Sequence, residues 1–288
     1  MKSNALFFLL IIALTSCEKN IQFDLNQTSP TLVVDAQIEN GLPPLVILTN
    51  SIPYFSSIDS SLLKNLFVHN AVVTISDSVS TFTLNEIPIS IGSNTFFVYT
   101  LPPDSLVGNF NTSYQLRIQS EGKDYTANTR IPVLRATPDS FYFEQAPVNP
   151  DSNARVMKIK LTDPVGTGNY IRYWSKRNAD PFLPGRKSVF TDEIIDGTTY
   201  TIQLEPGIDR NNPPKLGENF FKKSDTVVIK LASIDKSTYT FWNTWEFAAQ
   251  SVGNPFSQPV KVLGNVSNGA LGAFCGYASW YSNPVILK

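Results

Sequence analysis

The sequence predicts a mainly β protein built from two sandwich-like domains, the first immunoglobulin- or transthyretin-like and the second carrying a single α-helix. Short runs in which apolar and polar residues alternate recur along the chain, the period expected of half-buried strands. The aromatic complement (19 Phe, 11 Tyr and 4 Trp) suits pleated, packed surfaces. A hydrophobic content of 42% excludes a disordered chain. The charge pattern is informative by what it excludes: a net charge of −1, with 16% charged residues against about 25% in typical soluble proteins, gives no basic surface for nucleic acid.

The first element is a leader. Lys2 precedes an unbroken apolar run from Ala5 to Leu14, the charged start and hydrophobic middle of an export signal. The run is too short to span a bilayer, which takes about 20 apolar residues in a helix. It ends in Leu14-Thr15-Ser16-Cys17, which resembles the bacterial lipobox. That resemblance implies cleavage before Cys17, lipidation of that residue and retention of the protein at a membrane through its acyl chains. Residues 1–16 then form a lipoprotein signal peptide, and the polar, aperiodic stretch 17–30 a lipidated tether.

The N-terminal domain is expected over 31–133. Thr31–Ile38 reads as a first strand, Asn40-Gly41 as a turn and Pro44–Thr49 as a second strand, which together make a hairpin. Asp59 can cap one helical turn in the irregular stretch that follows. Ala71–Ile75, Thr81–Leu84, Thr95–Leu101, Tyr114–Ile118 and Tyr125–Ile131 supply the remaining strands, about seven in all. Pro132 and Pro138 bracket a segment that suits neither a ladder nor a helix start, so the boundary falls there.

The C-terminal domain is expected over 134–288. Strand periodicity returns at Phe141 and Phe143, Met157–Leu161, Tyr170–Ser175, Tyr200–Leu204 and Val227–Leu231, with loops at Asn178–Lys187 and Pro206–Lys215. One helix, about 235–252, starts at the cap Asp235 and carries Phe241 and Trp245 at helical spacing. Its tryptophans, Trp242 and Trp245, are expected to lock it onto a sheet. The glycines Gly264, Gly269, Gly272 and Gly276 suit a segment that threads closely against other backbone.

Several of these stretches carry a family resemblance. Leu32-Val33-Val34-Asp35-Ala36-Gln37-Ile38-Glu39-Asn40-Gly41, Pro53-Tyr54-Phe55, Asn70-Ala71-Val72-Val73-Thr74-Ile75-Ser76-Asp77, Lys123-Asp124-Tyr125-Thr126-Ala127, Ser233-Ile234-Asp235-Lys236, Asn254-Pro255-Phe256-Ser257 and Gly269-Ala270-Leu271-Gly272-Ala273-Phe274-Cys275-Gly276-Tyr277 follow one another in the order of domain of unknown function 4249. The sequence thus resembles a family of Bacteroidetes lipoproteins. The resemblance implies an exported, lipid-anchored β protein of the outer membrane, in its periplasmic or its surface leaflet, which assists a TonB-dependent receptor in nutrient uptake. It supplies no catalytic residue.

The residues themselves argue against catalysis. The sole histidine, His69, stands ahead of a strand with no Gly-x-Ser-x-Gly elbow elsewhere, so it reads as structural. Cys275, in an apolar and glycine-rich setting without a neighbouring cation, reads as a buried, inert thiol. One histidine and one available cysteine cannot build a zinc site. The acidic run Asp192, Glu193 and Asp196 lacks the ligand pattern of a calcium loop and reads as a solvated turn, so neither metal nor cofactor is expected. A binding surface, if present, is sought at Pro53, Tyr54, Phe55, Phe274 and Tyr277, whose flat rings could stack on a glycan or grip a peptide. Asp77-Ser78-Val79, Asp104-Ser105-Leu106 and Asp225-Thr226-Val227 resemble a short O-glycosylation signal, which marks Ser78, Ser105 and Thr226. The function expected is a non-catalytic binding or accessory subunit. A structural envelope lipoprotein without a soluble ligand is the first alternative, and a carboxylate-dependent hydrolase the second.

Overall fold

The computed structural model describes residues 30–52, 65–92, 94–194, 196–215, 219–252, 256, 258 and 260–288. The first half contributes β1 (Leu32–Glu39), β2 (Leu45–Asn50), β3 (Val72–Ser76), β4 (Thr81–Thr83), β5 (Asn85–Ile91), β6 (Asn94–Thr100), β7 (Thr112–Ser120) and β8 (Lys123–Ile131). The second half contributes β9 (Ser140–Gln145), β10 (Ala154–Thr162), β11 (Tyr170–Arg177), β12 (Leu183–Thr191), β13 (Thr199–Leu204), β14 (Phe221–Lys222) and β15 (Thr226–Ile234). After these come α1 (Lys236–Ser251), β16 (Leu271–Tyr281) and β17 (Val285–Ile286). The fold is mainly β, as expected, and α1 starts where the sequence places it: Asp235 is its N-cap and accepts the Thr238 amide at 2.7 Å. The helical turn expected from Asp59 lies outside the described residues.

One nine-stranded sheet runs through the molecule in the order β12-β11-β15-β16-β1-β2-β6-β5, with β17 beside β15. Two smaller sheets pack on the same face of it. The sheet β4-β3-β7-β8 encloses a core of Val34, Ile38, Leu48, Ile75, Leu116 and Ile131 against β1 and β2. The sheet of β9, β10, β13 and β14 encloses Met157, Ile159, Tyr173, Phe221, Ile229 and Leu231 against β11 and β15. Two sandwiches therefore share one backing sheet, and α1 lies on the opposite face, over β11, β12 and β16.

β16 joins the halves. It pairs in parallel with β1 from Leu271 to Tyr277, then antiparallel with β15 from Ala278 to Tyr281. Phe274 and Ala278 belong to the first core, so residues beyond position 134 complete the sandwich that begins at residue 31. The glycines of this strand have the expected cause. Gly272 has φ +93°, and a Cβ there would stand 2.0 Å from the Val34 carbonyl oxygen; at Gly276 it would stand 2.5 Å from the Arg130 carbonyl oxygen, where β8 crosses β16.

Besides the two-residue strands β14 and β17, three longer strands depart from the sequence expectation. β5 contains Pro88, which an interior strand would not tolerate, but β5 is the outermost strand and needs no amide on its open side. β12 begins at Leu183, inside the expected loop 178–187, because Gly185 lets the strand pass beneath Tyr173, whose hydroxyl a Cβ would meet at 1.7 Å. β16 itself reads as an irregular glycine-rich segment until β1 and β8 are placed beside it.

Candidate functional site

Two places in the described residues gather polar chemistry. The first lies between α1 and the shared sheet. Alternation along β11 and β15 points Arg172, Trp174 and Lys230 toward the helix, and β16 adds Tyr277 and Tyr281. The Arg172 guanidinium stands 3.4 Å from the Trp242 ring centroid and 4.7 Å from that of Trp174, and it donates to the Tyr277 hydroxyl at 3.0 Å. Trp242 Nε1 donates to the same hydroxyl at 2.8 Å. Lys230 pairs with Glu39 at 2.5 Å and faces the rings of Trp174, Tyr277 and Tyr281. Burial lowers the Lys230 pKa, opposed by the Glu39 carboxylate. Glu246, on the helix, accepts from the Ser188 amide at 2.8 Å and hydroxyl at 2.5 Å and lies 3.5 Å from Arg210. Each charge here has a ring, a counter-ion or a hydrogen-bond partner, which is the arrangement of a packed interface. Trp242 holds the helix to the sheet, whereas Trp245 packs edge-on against Trp242 and takes Arg210, from the loop after β13, over its ring at 4.8 Å.

The second place is a cavity of about 240 Å³ between the two sandwiches, beside the connector that follows β8. Its lining includes Arg130, Arg135, Asp163, Asn169, Tyr200 and Ser233. Arg135 donates to Asn169 Oδ1 at 2.8 Å, and Arg130 donates to Asn111 Oδ1. Neither guanidinium has a carboxylate within 4.0 Å among the described residues. Burial and the Asp163 and Asp192 charges push the Tyr200 phenol up to about 12, so it stays a neutral donor.

An acidic trio stands beside this cavity, and of its three members only Asp163 lines it. The carboxylate oxygens of Asp163, Asp192 and Asp196 lie within 4.8 Å of one another. The sequence expectation of a solvated turn at Asp192 is corrected here: Asp192 is 2% exposed. It accepts from Gly168 N at 3.0 Å and from Asn169 N and Nδ2 at 2.9 Å each. Burial pushes its pKa up, but those amides outweigh it and hold the carboxyl below its usual range. Asp163 goes the other way, raised by burial and by its two acidic neighbours against the Gly197 amide and the Arg135 charge. Gly166 N caps Asp196 at 2.7 Å. Backbone amides thus account for the trio as a clasp between the turns that follow β10 and β12. Glu193 is exposed and outside it.

The other residues singled out in the sequence are dispersed. Cys17, Pro53, Tyr54 and Phe55 lie outside the described residues. Phe274 is fully buried in the first core and faces away from the helix, so its ring serves packing and is corrected as a ligand contact. Tyr277 is 2% exposed and spends its hydroxyl on Arg172 and Trp242. Ser78 and Ser105 are exposed; Thr226 is half-buried at the start of β15. Cys275 is buried, and desolvation pushes its thiol up to about 12. His69 pairs with Glu86 and sets its ring edge-on to Phe97 at 4.5 Å. Sequence reasoning missed Arg130, Arg135, Asp163 and Tyr200, which sit on four separate stretches and meet only through the fold.

Comparison with known proteins adds a family. The model of the family described as domain of unknown function (DUF4249) matches residues 18–280. No curated protein matches the chain. Among solved structures, pullulanase type I from Bacillus subtilis str. 168, complexed with maltose, aligns at 9% identity with a TM-score of 0.20. That alignment covers 71% of this chain and 24% of the pullulanase, so the chain spans about a quarter of its length.

Proposed function

We propose that this chain, which belongs to the DUF4249 family, is a lipid-anchored outer-membrane protein that acts as a non-catalytic binding or accessory subunit of a TonB-dependent uptake system. The observation that carries the binding role is the cavity between the sandwiches. Two arginines with no carboxylate within 4.0 Å among the described residues, a neutral phenol and the buried Asp163 carboxylate line a space of about 240 Å³, a donor-rich setting suited to a small polar group of a peptide or glycan. The anchor rests on Leu14-Thr15-Ser16-Cys17, and the receptor on the family resemblance.

The test is a mild crosslink and pull-down of the tagged protein from its own outer membrane, with Cys17→Ser as control. The expected outcome is a stoichiometric TonB-dependent barrel recovered only with the anchored form. A folded, anchored protein that recovers no barrel refutes the accessory role. Peptides and glycans drawn from that barrel's substrates then serve as titrants against the wild type and Arg135→Ala, with at least tenfold weaker binding expected for the variant.

A further inference from the structure

The edge of the shared sheet farthest from α1 is unusual. From Ile87 to Pro103 the chain contains no charged residue and no histidine, yet this run forms an exposed hairpin, β5–β6, whose outer strand pairs with nothing on its open side among the described residues. Register places Ile87 opposite Val98, Ile89 opposite Phe96 and Ile91 opposite Asn94, so Ile87, Ile89, Ile91 and Phe96 share one face. Ile91 is 64% exposed, Ile87 39% and Phe96 37%. Soluble edge strands are normally guarded by charges; here the one charge of β5, Glu86, sits at its start and is paired with His69, and from Ile87 onward only Pro88 stands guard.

The hairpin splays away from β2, since β6 joins it only at Tyr99 and Thr100 and the segment Leu66–Val68 takes the edge of β2 beyond that point. It is nevertheless held firmly: Phe97 sets its ring edge-on to Phe67 at 5.6 Å, and Phe67 bridges to Thr49 at the end of β2. That end of β2 is also where the described chain begins. Asn50 lies opposite Leu32, and the Thr31 amide donates to Ser51 Oγ at 2.9 Å. The apolar hairpin and the start of the domain therefore occupy the same end of the molecule. Cys17 lies thirteen residues upstream of Pro30, a separation that no chain can stretch beyond about 45 Å.

We infer that the β5–β6 hairpin inserts its Ile87, Ile91 and Phe96 face into the interface of the bilayer that carries the lipid anchor, and so fixes the orientation of the protein on that membrane. The inference rests on the anchor proposed above. The absence of lysine and arginine from the run makes the attraction apolar, so it requires no anionic lipid.

The test uses the lipidated protein in phosphatidylcholine vesicles, labelled with an environment-sensitive fluorophore at Ile91→Cys or, on the second sandwich, at the fully exposed Val148→Cys. The remaining thiol, Cys275, is buried and escapes labelling. A blue-shifted emission at position 91 that is quenched by spin-labelled acyl chains, with water-like emission at position 148, is the expected result. Water-like emission at both positions from a protein whose intact mass shows the acyl chains overturns the inference and leaves the anchor standing. Shielding at 91 that appears only when a receptor barrel is added also overturns it, in favour of a protein partner. An intact mass without acyl chains overturns the anchor and, with it, the inference.

Discussion

Replacing Glu246 by alanine would remove the bond between α1 and the sheet on which the helix position most depends. The carboxylate is 2% exposed and Ser188 fully buried, so water cannot replace what is lost. Three interactions disappear together: the Ser188 amide at 2.8 Å, its hydroxyl at 2.5 Å and Arg210 at 3.5 Å. A hydrogen bond to a charged acceptor contributes about 1.5–3 kcal/mol, and an orphaned buried amide costs about 1–3 kcal/mol. Arg210 is partly exposed and rehydrates, so its share is small. The expected loss is about 3–5 kcal/mol, the range for breaking a buried charged pair. Glu246→Gln keeps the shape and one acceptor and should lose only about 1–2 kcal/mol. Guanidinium titration with the m-value monitored measures both. In a chain of this size each kcal/mol lowers the melting temperature by about 2 °C, so the alanine variant should melt roughly 6–10 °C lower. A loss below about 1 kcal/mol, or equal losses for alanine and glutamine, would refute the claim that the two bonds Glu246 accepts from Ser188 tie α1 to β12.

Other substitutions probe other parts of the same argument. Asp192→Ala should cost about 3 kcal/mol at pH 7, because Gly168 and Asn169 lose their acceptor. The folded pKa of Asp192 is depressed, so the stability it contributes is present above the unfolded value near 3.8 and is lost as pH falls through the folded value. The gap between wild type and variant in denaturant titrations should therefore narrow progressively as pH falls below 3.8; a gap that does not change there contradicts an ionised Asp192. Cys275, with its thiol raised to about 12, should resist a maleimide at pH 8 in the native protein and react fully in denaturant, as read by intact mass. Gly276→Ala should destabilise by about 1–3 kcal/mol or more, because the new methyl lies 2.5 Å from a backbone oxygen that cannot rotate away; a neutral effect in the same titration would mean that β8 and β16 can separate there.

The strands that announce themselves in the sequence are those with one face in a core and one in water. Tyr114, Leu116 and Ile118 are buried while Gln115, Arg117 and Gln119 are exposed, so β7 is visible from alternation alone. Asp235 announces α1 for a similarly local reason, since a cap needs only its own first turn. β16 stays hidden because both of its faces are covered. From Ala273 to Ser279 every residue is buried, and two of its glycines exist to let other backbones approach. No period of two survives such a setting. The candidate sites are hidden for a related reason. Arg172 and Lys230 alternate with apolar neighbours as solvent-facing residues would, and only the helix that returns over them makes them interior. Asp163 meets Asp192 because the turns after β10 and β12 come together at one end of the second sandwich. What β16 adds is consequence as well as concealment. By pairing with β1 on one side and β15 on the other, it fixes the two sandwiches at one angle, and the cavity beside the connector has its shape only while that angle holds.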